Sequence, residues 1–191
     1  MDAGLVDALN PLVEAFEELG IEYELGGSVA SSVHGVPRSS LAIGILAALE
    51  PDQVAALVQK LAGAYYVSST RVADAVEREA SFNVIHLETI FKVDIFIARS
   101  NEFRRCSLKR RKLEALTEDR SFFVTSAEDI VLHKLHWYRK ESEVSNQQWQ
   151  DVVGVLKVQG GRLDTGYLQD WADKLQVADL LKRALSEATG G

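Results

Sequence analysis

The chain has 191 residues, 47% hydrophobic and 26% charged, the ordinary mix of a globular protein and far from disordered or collagen-like extremes. That length suits one α/β core with a helical appendage better than two independent domains. Twenty-one basic against 28 acidic residues give a net charge of -7, which argues against non-specific coating of nucleic acid, and no apolar run reaches the roughly 18 residues of a membrane span.

Asn10-Pro11 reads as the cap and first turn of a helix carrying Leu12, Val13, Phe16 and Leu19, stopped at Gly20, with a short turn over residues 4–9 before it. Residues 21–25 alternate apolar with Glu22 and Glu24 as a strand, and Gly26-Gly27-Ser28 breaks it before a short small-residue helix over 29–33. Residues 41–49 are nearly all apolar and predict a strand buried on both faces, after which Glu50-Pro51-Asp52 opens a helix to about Leu61. Another helix is expected over 70–79, and two strands, 82–87 and 90–98, about a Glu88-Thr89 turn.

From Ser126 onward the pattern is helical. Ser126 with Asp129 and Ser145 with Gln148 resemble capping boxes, Asp164 starts a further helix, and residues 176–187 complete a small bundle, leaving 188–191 to fray. The expected fold is therefore an α/β (α+β) mixed sheet with flanking helices over residues 1–125. A C-terminal helical region, 126–191, follows and packs on that core.

The Gly26-Gly27-Ser28 turn after a strand lets backbone amides approach a phosphate at a helix start, although taken alone those three residues read more readily as a purely structural turn. More specific is the fixed order Gly26-Gly27-Ser28, His34-Gly35, Pro37-Arg38-Ser39-Ser40, then an apolar strand. This order resembles the nucleotidyltransferase superfamily, in particular the branch related to AbiEii-type toxins of toxin-antitoxin systems, where a GG[ST] turn precedes an HG-x-PR-x-T segment. The stretch from Ser126 to Leu135 is similar to that family's S-x-E-D-L-I-L-x-K-L helix, and Ser145, Gln148, Trp149 and Asp151 also match relatives.

The resemblance implies nucleotide binding by Gly26, Gly27, Ser28, Arg38 and Lys134, and a metal-binding catalytic carboxylate at Asp94, in the alternating strand Lys92-Val93-Asp94-Ile95-Phe96. Family members hold Mg2+ or a similar divalent cation with an Asp-x-Asp pair plus a third aspartate, and two-metal phosphoryl transfer needs those oxygens close together. Here the pair reads Ala42-Ile43-Gly44, and Ala48 stands where a further acid often occurs. The implied protein has the fold, with nucleotide binding retained and transfer impaired or lost. The alternatives are an active metal-dependent transferase acting on RNA, protein or a small acceptor, and an interaction subunit that binds no nucleotide.

Read without the family, Asp94 is a water-facing strand acid, Lys134 a solvated or snorkelling lysine and Trp149 a core residue, while Asp151 has no clear role. Arg104, Arg105, Lys109, Arg110, Arg111 and Lys112 put six cations into nine residues, enough to attract an RNA backbone or simply to form a solvated edge. His133 and His136 share a helix face without an evident third metal ligand. The single Cys106 and the absence of a basic, apolar leader at the N-terminus fit a cytoplasmic protein.

Overall fold

A computed structural model describes residues 3–38 and 42–190. Ser39, Ser40 and Leu41, part of the proline-arginine segment and of the apolar run after it, lie outside the described residues, as does Gly191. Contacts divide the chain into two compact units, Met1–Gly26 with Ser39–Val124 and Gly27–Arg38 with Thr125–Gly191. Residues 27–38 cluster by contacts with the C-terminal helices.

The first unit is built on a seven-stranded mixed sheet with strand order β3-β4-β5-β2-β1-β7-β6. Its strands are β1 (Tyr23–Leu25), β2 (Ala42–Ala47), β3 (Tyr65–Tyr66), β4 (Ser81–His86), β5 (Lys92–Ile97), β6 (Lys112–Ala115) and β7 (Ser121–Val124). β2 runs parallel to β5 and β1 to β7, while the remaining pairings are antiparallel. Period-two alternation sorts the side chains. Tyr23, Leu25, Ile43, Ile45, Phe82, Val84, Val93, Ile95 and Ile97 are all buried and share one face by register. Asn83 and Lys92 are exposed and Gly44, Asp94 and Phe96 half-buried on the other. β2 is therefore not buried on both faces along its length, because Gly44 and the following Ala48 are partly exposed.

Helix α1 (Ala3–Glu18) runs straight through Asn10-Pro11, correcting the expected start at Asn10. Leu5, Val6, Ala8 and Leu9 are buried together with Leu12, Val13 and Phe16, so the apolar stripe begins two turns earlier. Proline removes one donor from the ladder, and the Tyr65 hydroxyl repairs the neighbouring gap. It accepts from the Leu12 N–H at 3.2 Å and donates to the Ala8 carbonyl at 2.7 Å, the pair an uninterrupted helix would join directly. Burial raises the pKa of that phenol well above its ordinary value. Helices α3 (Val54–Leu61) and α4 (Ser69–Glu77) lie where the sequence places them, and α5 (Glu102–Arg110) follows β5.

The second unit is helical: α2 (Gly27–His34), α6 (Ala127–Lys140), α7 (Asn146–Gln159), α8 (Thr165–Lys174) and α9 (Ala178–Thr189). The predicted caps form. Ser126 accepts from the Asp129 N–H at 3.2 Å, Ser145 from Gln148 at 3.3 Å and Asp164 from Tyr167 at 2.9 Å. Trp149, Val152, Leu156, Leu168, Trp171 and Leu181 fill the core of this unit.

Candidate functional site

β1 ends at Leu25, and the Gly26 N–H donates to the Gly44 carbonyl at 2.8 Å, tying the glycine turn to β2. Gly27 then takes φ +55°, a left-handed conformation that only glycine adopts without cost, and α2 starts from it. Ser28 is buried. The Ser31 hydroxyl lies 3.0 Å from the Gly27 carbonyl and 3.2 Å from that of Ser28, so the turn is held from within its own helix.

The histidine-glycine and proline-arginine residues explain why residues 27–38 belong to the helical unit. His34 donates through Nε2 to the Thr125 carbonyl at 2.7 Å. At Gly35 a Cβ would stand 2.8 Å from the Val155 nitrogen and 3.0 Å from the Gly154 carbonyl carbon, so glycine is required for α2 to approach the α7 backbone. Arg38 reaches Asp151 of α7 with both edges of its fork, Nε to Oδ1 at 2.9 Å and Nη2 to Oδ2 at 2.8 Å.

Lys134, from α6, converges on the same carboxylate, its Nζ donating to Asp151 Oδ2 at 2.8 Å and to Gln148 Oε1 at 3.3 Å. Gln147 adds a bond to Oδ1 at 3.0 Å, and Ser31 Oγ stands 3.4 Å from Oδ2. Lys134 and Asp151 are almost entirely enclosed, with side-chain exposures of 8% and 6%, while Arg38 keeps 30%. Burial would raise the Asp151 carboxyl, but hydrogen bonds from Arg38 and Lys134 outweigh it and hold the pKa at about 2. Burial pushes the Lys134 ammonium below its ordinary value against the opposing pull of Asp151, and the hydrogen bond to Asp151 raises Arg38. Two cations and one anion leave this cluster with one excess positive charge.

Sequence reasoning named Arg38 and Lys134 but left Asp151 without a role and passed over Ser31 and Gln147. No local spacing connects residues 31, 38, 134 and 151. Lys134 is neither solvated nor snorkelling, and Trp149 is a core residue whose Nε1 donates to Glu187 at 2.8 Å.

In the other unit Asp94 lies on the partly open face of β5, between Gly44 of β2 and Asn83 of β4 in register. Lys92 pairs with it, its Nζ 3.1 Å from Asp94 Oδ1. The backbone of Ala42 pairs with that of Lys92. Among the described residues no group of three or more His, Cys, Asp or Glu side chains could hold a metal ion. Asp94 with a glycine across from it and a lysine upon it does not fit a divalent cation, which needs several oxygen ligands.

The six-cation segment divides once folded. Arg104 donates to the Ile97 carbonyl at 2.7 Å and the Glu79 carbonyl at 3.3 Å, and Arg111 stacks over Phe123 at 4.7 Å and bonds Glu22 at 3.1 Å. Arg105, Lys109 and Lys112 remain exposed, none of them in an ion pair among the described residues, and Arg110 is half-buried.

No family model matches the sequence. No curated protein matches it. Solved structures do. The solution structure of the antibiotic-resistance factor ANT(2'')-Ia superposes with a TM-score of 0.59 at 15% identity, over 98% of this chain and 97% of that one. An antigenic nucleotidyltransferase-like protein from Paracoccidioides brasiliensis gives a TM-score of 0.52 at 14% identity, over 94% of each chain. The mixed α/β fold is nucleotidyltransferase-like.

Proposed function

We propose that this chain is a nucleotidyltransferase-fold protein that has lost two-metal nucleotidyl transfer and binds nucleotide phosphates without turning them over. The observation that carries the reading is the β2–β5 register: Gly44 stands opposite Asp94, and Lys92 pairs with the Asp94 carboxylate. Two-metal transfer stabilises both the attacking and leaving oxygens through bridging carboxylates, and a single neutralised acid cannot supply them. The proposed phosphate contacts are the Gly26-Gly27-Ser28 turn, at the positive end of α2, and the cations Arg38 and Lys134. The motif resemblance supports a place in the AbiEii-related branch. The charge arrangement at residues 104–112 gives RNA no more than three exposed cations, so RNA is not part of the reading.

The test is incubation with labelled nucleoside triphosphates, Mg2+ or Mn2+, and RNA, protein and small-molecule acceptors. No covalent label is expected, while equilibrium binding of the nucleotide persists and is unchanged by a chelator. Metal-dependent label on any acceptor would overturn the reading, as would a complete absence of nucleotide binding.

A further inference from the structure

We infer that Asp151 is an internal competitor for oxyanions: Arg38, Lys134 and Gln147 form a receptor for a phosphate group that the carboxylate of α7 fills from within. This rests on the phosphate-binding reading above and adds to it a regulation of the same cations.

The geometry is that of an anion receptor already satisfied. Asp151 Oδ1 takes Arg38 Nε at 2.9 Å and Gln147 Nε2 at 3.0 Å, while Oδ2 takes Arg38 Nη2 and Lys134 Nζ, both at 2.8 Å. These four donors, with the Ser31 hydroxyl a longer fifth at 3.4 Å from Oδ2, exhaust the acceptor capacity of a carboxylate. The guanidinium fork matches two oxygens of a phosphate as well as it matches two oxygens of a carboxylate, so an incoming phosphate needs the same donors in the same plane. The donors come from three segments packed side by side, Arg38 after α2, Lys134 on α6 and Gln147 on α7, and all point at one acceptor. Charge gives the second argument. Among the described residues one carboxylate meets two cations, Lys134 almost wholly enclosed and Arg38 30% exposed on its side chain, so an anion can approach from the Arg38 side. The acid therefore offsets only part of the positive charge it covers, and removing its charge exposes a dication to the next anion.

The prediction has a definite sign and uses inorganic pyrophosphate as the probe, titrated calorimetrically without metal at fixed ionic strength. Asp151→Asn, which keeps the shape and removes the charge, is expected to bind pyrophosphate at least tenfold tighter than the unmodified chain. Adding Arg38→Met to it is expected to abolish the gain. Affinity equal to or weaker than that of the unmodified chain would overturn the inference, as would a gain that survives the loss of Arg38. If Asp151→Asn does not fold in plain buffer, refolding yield becomes the readout. Pyrophosphate should then restore it saturably and chloride of matched ionic strength should not, whereas equal recovery in both refutes the competition. Label transfer by the unmodified chain would sink the non-catalytic reading and leave this comparison standing, and equal pyrophosphate affinities would do the reverse.

Discussion

Asp151→Ala is expected to lower the unfolding free energy by about 3–5 kcal/mol, the scale found when one partner of an enclosed ion pair is removed and its counter-charges stay behind. Both Arg38 and Lys134 depend on this carboxylate, and Lys134 is almost wholly enclosed. Lys134→Met is expected to cost far less, because the bidentate Arg38–Asp151 pair survives as a neutral unit and the methionine fills a similar volume. Urea denaturation of the three proteins at neutral pH measures both differences. The same contact sets a pH dependence. The folded carboxyl, at about 2, lies below its ordinary value of 3.8, so its stabilisation is present above the ordinary value and is lost as pH falls through about 2. That part is on the order of 2 kcal/mol. The stability gap between the unmodified chain and Asp151→Ala should therefore narrow on acidification from pH 5 toward 2. A gap that stays constant across that range contradicts an ionised Asp151.

Gly35→Ala is the second large effect. Its added methyl would meet three atoms of backbone, at 2.8, 2.9 and 3.0 Å, and backbone cannot rotate away as a side chain can. Relief requires α2 and α7 to part, which costs about 1–3 kcal/mol or more by the scale of overpacked interiors. Gly154→Ala, across the same contact, is the control. Its methyl would touch the Val36 side chain at 3.4 Å, an ordinary packing distance, and alanine favours the interior of α7 by about 1 kcal/mol. The two substitutions are expected to move the thermal midpoint in opposite directions, or the second hardly at all. Equal losses at both positions would contradict the close approach assigned to Gly35.

What could be read from the sequence was local. Ser126, Ser145 and Asp164 each announce a helix by a side chain that caps it three residues on, and the Phe82 and Val93 alternation announces a hairpin. Pro11 misled because proline is favoured in a first turn, and the repair of its interior position by Tyr65 comes from 53 residues away. α5 was hidden because four of its nine residues are Arg or Lys, which leaves almost no apolar stripe to see. β6 and β7 have four residues each, too short for period two to declare itself. At the site, Arg38 and Lys134 were visible through a motif, whereas their partner Asp151 is 113 and 17 residues distant. In sequence the histidine-glycine pair belongs to a motif resembling a nucleotide-binding signature, and its contacts account for it as the seam between α2 and the helices of its unit.

The most direct test of the central claim is calorimetric titration of Mn2+ into the unmodified chain and into Ala42→Asp/Gly44→Asp, each with nucleotide present and with folding checked by circular dichroism. The account predicts no saturable Mn2+ binding by the unmodified chain and a clear gain in the double variant, because two acids on β2 beside Asp94 on β5 would supply the missing oxygen ligands. Saturable micromolar binding by the unmodified chain, or a folded double variant with no gain, would contradict it.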